Sequence, residues 1–155
     1  MNYMNVYKNW RLEKKALRDY GYFYKKMEAV LKEILHYYTT EKKYNVAIWG
    51  GGLKGIAFLK IIDSNNTYIH YVYDIDKNKF NTKLSTGHKI VNYKDPKFQD
   101  VDVVCIMNNN YETEIAGLLK DENMRIILVN IDSIIFGNLS TKEALQMYNG
   151  DENND

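Results

Sequence analysis

The chain has 155 residues, enough for one domain with a substantial core, and a formal net charge of +1 with 26% charged residues of both signs. That balance, with no run of more than two consecutive basic residues, gives no reason to expect nucleic acid or a membrane surface as a partner. The single cysteine, Cys105, excludes an intrachain disulfide and a zinc site built from thiolates.

No apolar run approaches the roughly 20 residues of a membrane span, and the polar, aromatic N-terminus has no signal-peptide core. A reducing, cytoplasmic setting is expected. The fourteen tyrosines read as compositional drift rather than function.

From about Trp10 to Tyr38, apolar and aromatic residues recur at three- and four-residue steps, the pattern of an amphipathic helix, with Gly21 as the expected break into two. Residues 1–43 are therefore a helical appendage ahead of the main domain. It is expected to pack on the sheet flank, on its own copy in a homodimer, or on another domain.

Residues 44–148 form that domain. Strand-like Tyr44–Trp49 runs straight into Gly50-Gly51-Gly52-Leu53-Lys54-Gly55 and an apolar helix to Ile62. Gly50-x-Gly52-x-x-Gly55 has the spacing of a dinucleotide loop. The first glycine turns the chain, the second leaves room for a pyrophosphate, and the third lets the helix pack close to the strand. The helix N-terminus then favours an anion. Lys54, in the first helical turn, opposes the helix dipole unless a phosphate faces it.

The second strand, Tyr68–Asp74, ends in an acid 19 residues after Gly55, near the distance expected for a carboxylate that accepts ribose hydroxyls. A polar stretch with Lys77, Lys79 and Lys83 comes next, then a short strand at Lys89–Tyr93 and a turn at Asp95-Pro96. Asp100–Met107 is a continuous apolar run, hence a central strand buried on both faces. Asn108-Asn109-Asn110-Tyr111 closes it ahead of a helix over 112–120. A strand at Arg125–Val129, a short apolar run at 131–136 and a helix opened by the capping box Ser140-Thr-Lys-Glu143 complete the domain. The acidic tail, 149–155, is expected to be disordered.

The predicted fold is α/β: a Rossmann-like parallel sheet flanked by helices, with the N-terminal helical appendage. Ligands in such sheets lie at the carboxyl ends of the strands, which gathers the glycine loop, Asp74 with its lysine-bearing loop, and Asn108–Tyr111 around one crevice. His88, beside Gly87, is an acid–base candidate there; Cys105, inside a buried strand, reads as an inert core thiol. No Ser-His-Asp spacing and no metal-ligand cluster is recognisable.

Taken together, these stretches resemble the C-terminal domain of sugar C-methyltransferases, which act on nucleotide-linked deoxysugars. That family opens with an aromatic-Gly-Ala-x-x-Lys-Gly loop, matched by Trp49-Gly50-Gly51-Gly52-Leu53-Lys54-Gly55 with Gly51 in the Ala place. Its Asp-Arg-Asn-Pro-x-Lys-x-Gly stretch is matched by Asp74 and Lys79, with Ile75 replacing the Arg, Lys77 the Pro and Asn81 the Gly. Gly87 and Ile90 fit a Gly-x-x-Ile-Pro element with Val91 for the Pro, and Asn110-Tyr111-Glu112-Thr113-Glu114-Ile115 fits an Asn-aromatic-x-x-Glu-Ile turn.

The resemblance covers about residues 44–130. It implies a domain that helps bind the nucleotide-sugar, standing apart from the S-adenosylmethionine site and the metal-binding domain, and so acting beside a separate methyltransferase partner in polysaccharide or deoxysugar biosynthesis. Loss of the Arg at Ile75 removes a bidentate anion partner.

The candidate ligand residues are Gly50, Gly51, Gly52, Lys54, Gly55, Asp74, Lys79, Asn110 and Tyr111. Three readings are open: a nucleotide or nucleotide-sugar binding module; a small NAD-dependent oxidoreductase or dinucleotide-sensing domain, with Asp74 disfavouring a 2′-phosphate; or a dimeric scaffold with a degenerate site.

Overall fold

The structure, a computed structural model, describes residues 3–50 and 52–149. Gly51 and residues 150–155 of the expected tail lie outside the described residues. Asn149, the first tail residue, is instead packed: it caps the last helix, is buried, and lies 3.2 Å from the Tyr38 hydroxyl that donates to its side-chain oxygen.

Five parallel strands form one sheet in the order β3-β2-β1-β4-β5: β1 Val46–Trp49, β2 Ile69–Asp74, β3 Ile90–Asn92, β4 Val103–Ile106 and β5 Ile127–Asn130. Every side chain of β4 is buried, as its unbroken apolar run requires of a central strand covered on both faces. The period of two then sorts the strands into two cores. Val46, Ile48, Val72, Ile90, Val103, Cys105 and Val129 join one, and Ala47, Tyr73, Val91, Val104 and Ile106 join the other.

The first core is closed by helices α1 Tyr3–Lys26, α2 Glu28–His36, α3 Leu53–Ile62, α5 Ile131–Phe136 and α6 Thr141–Tyr148. The N-terminal appendage thus belongs to the main core through Ala16, Tyr24, Met27 and Leu31. It breaks at Met27, whose ψ of 14° leaves the helical range, and not at Gly21. Gly21 lies inside α1 and is buried, facing Ile61 of α3 at a distance that would leave a β-carbon in ordinary contact. A π-helical turn, Tyr37–Glu41, leads from α2 towards β1.

The second core is closed by α4 Glu112–Asp121 and by aromatic rings. No helix lies between β2 and β3; a 3-10 turn at Lys77–Lys79 and a loop bridged at Lys83 and Lys89 connect them. Tyr71, Tyr73, Tyr93 and Phe98 fill the space with ring contacts at 5.3–6.4 Å, and the Tyr73 hydroxyl donates to the Phe98 carbonyl. Part of the tyrosine content is therefore structural, since these rings bring large apolar area to the core and the Tyr73 hydroxyl finds a partner there.

At the amino edge of the sheet, Asp63 ends α3 and fastens the loop that leads into β2. Its carboxylate accepts from the backbone N–H groups of Thr67, Tyr68 and Ile69 at 2.7–2.9 Å. His88 Nε2 lies 2.7 Å from the same carboxylate, and His88 Nδ1 lies 2.6 Å from Thr86 Oγ1. Both side chains are buried, so Nε2 carries the proton that Asp63 accepts. Burial alone pushes the Asp63 carboxyl up; the His88 bond and the three backbone donors outweigh it and hold it below its ordinary value.

Asp63→Ala is expected to cost about 3–5 kcal/mol in urea unfolding, because it strands a buried imidazole and three amides. A folded-state carboxyl held below its unfolded value stabilises at pH above the unfolded value near 3.8. That part of stability is lost as pH falls through the depressed folded value, and the acid limb of the stability profile should flatten in the variant.

Candidate functional site

The glycine loop turns between the carboxyl end of β1 and α3, and each described glycine has a separate physical role. Gly50 has a φ of +105°, which a side chain would strain, and its N–H donates to the Tyr73 carbonyl at 2.7 Å, tying the loop to the end of β2. At Gly55 a β-carbon would run into the Gly50 carbonyl oxygen. The first turn of α3 therefore packs directly on the loop backbone. Gly52 is the N-cap of α3, with extended backbone (φ −83°, ψ −169°) and no side chain capping the helix. Nothing lies within 4 Å of where its β-carbon would be.

A cleft of about 490 Å³ opens over this loop. Gly50, Gly52, Lys54 and Gly55 form its floor, and Met107, Asn108, Tyr111 and Glu114 come from the β4 end and the start of α4. β1 and β4 are neighbours whose connections leave to different sides, so the cleft lies at the topological switch point, the ligand position of open α/β sheets. Its walls are mainly apolar, from Trp49, Leu53, Ile75, Met107, Ile115 and Leu118.

Two residues at the site were not legible in the sequence. Asp132, in the first turn of α5, accepts from Lys54 Nζ at 3.2 Å. Tyr20 of α1 lines the cleft and places its ring 5.7 Å from the same ammonium. Lys54 also donates to the Met107 carbonyl at 3.3 Å. The cation that opposes the α3 dipole thus has a carboxylate, a carbonyl and a ring as partners, and needs no bound phosphate to account for it. One signal was present: Asp132 lies two residues after the end of β5 and is the one acid between Ile131 and Phe136, which places it on the ligand side of the sheet.

Asp74 ends β2 as expected, but it does not line the cleft. Its Oδ1 accepts from the Asp76 N–H at 2.9 Å, an Asx turn, and its Oδ2 lies 3.8 Å from Lys79 Nζ. The exposed Ile75 beside it reaches the cleft instead. Asn110 also falls outside the lining; its backbone N–H donates to the Asn108 side chain at 3.0 Å in the 3-10 turn Asn109–Tyr111. Tyr111 does line it, half exposed.

His88 is a correction: named as an acid–base candidate at the crevice, it precedes β3 at the opposite, amino edge of the sheet and is bonded to Asp63. Cys105 is fully buried in β4, and burial pushes its thiol up to about 12, so it is an inert core thiol. Among the described residues, no three His, Cys, Asp or Glu side chains gather as a metal site, and no helix is long and apolar enough to cross a membrane.

These features define a compact α/β domain with an open cleft at the β1/β4 switch point. The chain belongs to the C2185-like, N-terminal family, whose model matches residues 42–135. The match begins just ahead of β1 and ends within α5, so it takes in the whole sheet and the glycine loop but neither α1 nor α6. No curated protein matches the chain.

The second and third glycines of the motif predict opposite mutational outcomes. Gly55→Ala should lose about 1–3 kcal/mol in urea unfolding through overpacking against backbone. Gly52→Asp should keep or raise stability, by up to about 1 kcal/mol, because it supplies a helix cap and a favourable charge in open space.

Proposed function

We propose that the domain binds a nucleotide or nucleotide-sugar in the cleft over Gly50–Gly55, with its phosphate at the N-terminus of α3. The observation that carries this reading is Gly52: an N-cap without a side chain, bordering the cleft, with empty space where a β-carbon would lie. Helix amides left without a side-chain acceptor and reachable by a ligand suit an anion. The apolar walls suit a base or sugar ring, and the cleft volume is in the range of small-molecule sites.

The resemblance to the nucleotide-sugar domain of sugar C-methyltransferases supports the same ligand class. It suggests a role in polysaccharide or deoxysugar biosynthesis, as the substrate-binding part of a methyl-transfer system. The reading is one of binding and positioning, with no chemical step assigned to this chain.

The test is thermal unfolding with UDP- and TDP-sugars, NAD, NADP and S-adenosylmethionine. A ligand at 100 times its dissociation constant adds about 2.7 kcal/mol to stability, several degrees in midpoint for a domain of this size. A nucleotide-sugar should raise the midpoint of the native protein and leave Gly52→Asp unmoved. A shift with NAD alone would replace this reading with a dinucleotide site, and no shift with any of these ligands would contradict it.

A further inference from the structure

The near-neutral net charge hides a segregation of charge. Helix α1 carries seven basic side chains and two acidic ones, although the whole chain has a formal net charge of +1. The inward face of α1 is fixed by Ala16 and Tyr24 in the core and by the Glu13–Lys60 ion pair at 3.0 Å to α3. At 100° per residue, Lys8, Arg11, Lys14, Lys15, Arg18, Lys25 and Lys26 fall on the opposite side, and all seven are exposed. One acid, Asp19, shares that side, beside Arg18. The result is a basic stripe about 27 Å long from Lys8 to Lys26 along one continuous helix.

Large apolar and aromatic side chains accompany the stripe. Met4, Trp10 and Tyr22 are 68%, 50% and 68% exposed, and Lys14 lies over the Trp10 ring at 4.2 Å. From these observations we infer that the outer face of α1 is a docking surface for an anionic lipid bilayer. Four to eight Lys or Arg on one face of an amphipathic helix match the charge of an anionic leaflet. A single continuous helix, anchored to the body by its other face, presents the whole stripe on one side of the molecule. Trp and Tyr beside the cations suit the headgroup level, where one end of the ring is wet and the other apolar. A second copy of α1 is a poor occupant, since two basic stripes would face each other across the symmetry axis; this tells against the homodimer through α1 that the sequence left open. Docking by α1 leaves the sheet's ligand cleft to its own function, so neither inference depends on the other.

The experiment is co-sedimentation of the full chain with phosphatidylcholine vesicles, with and without phosphatidylserine, at low and high salt, and with a short DNA duplex as competitor. Sedimentation that requires phosphatidylserine, falls with salt and resists the duplex is expected. Lys14→Glu/Lys15→Glu and Lys25→Glu/Lys26→Glu, each checked for an unchanged thermal midpoint, should each weaken binding roughly tenfold or more. Equal binding to both vesicles, no binding at low salt, binding unaffected by both double reversals, or preferential capture by the duplex would each overturn the inference.

Discussion

The contact on which the site depends is the approach of α3 to the backbone of its own loop at Gly55. A β-carbon at that position would collide with the Gly50 carbonyl, so only glycine allows the helix to start where it does. That one approach sets the rest of the loop. The turn stays short, Gly50 takes its positive φ and bonds to the end of β2, and Gly52 is left as the bare cap of α3 at the cleft. A looser packing would leave the same residues on a flexible loop with no defined opening between β1 and β4.

Around that loop, the electrostatics are largely self-contained. Lys54 is held by Asp132, the Met107 carbonyl and the Tyr20 ring, and Asp74 has Lys79 and its own turn. The Asn108, Tyr111 and Glu114 side chains also line the cleft; beside them the uncapped N-terminus of α3 offers backbone amides, whose fixed dipoles need no side-chain reorganisation to meet an anion. The helical appendage takes part in this through Tyr20, so α1 is a wall of the cleft as well as a cover for the core.

How much of this was legible in the sequence depends on which constraints are local. The strand–loop–helix from β1 to α3 was readable because turn, cap and close approach are all set within about ten residues, and the buried run of β4 because a central strand must be apolar throughout. The capping box at Ser140 and Glu143 was likewise local and is present. Features set by contacts across the sheet did not show. The break at Met27 has no turn residue to mark it, while Gly21, which resembles a breaker, is carried within α1. His88 was placed at the crevice because sequence proximity to Gly87 says nothing about which edge of a parallel sheet a loop occupies; its partner Asp63 lies 25 positions away. Asp74 had the right spacing but a local competitor, the Asx turn to Asp76. The Lys54–Asp132 pair spans 78 positions and has no local pattern.

The central claim is that the bare N-terminus of α3 over Gly50–Gly55 is the ligand-contacting element of this domain. The most direct measurement is amide-resolved NMR of the labelled chain titrated with a UDP- or TDP-sugar. Saturable shifts led by the backbone amides of Gly52, Leu53 and Lys54 are expected, with Tyr111 moving less and the Asp63–His88 edge unmoved. Shifts that leave the glycine loop in place, or that centre on another face of the sheet, would contradict it.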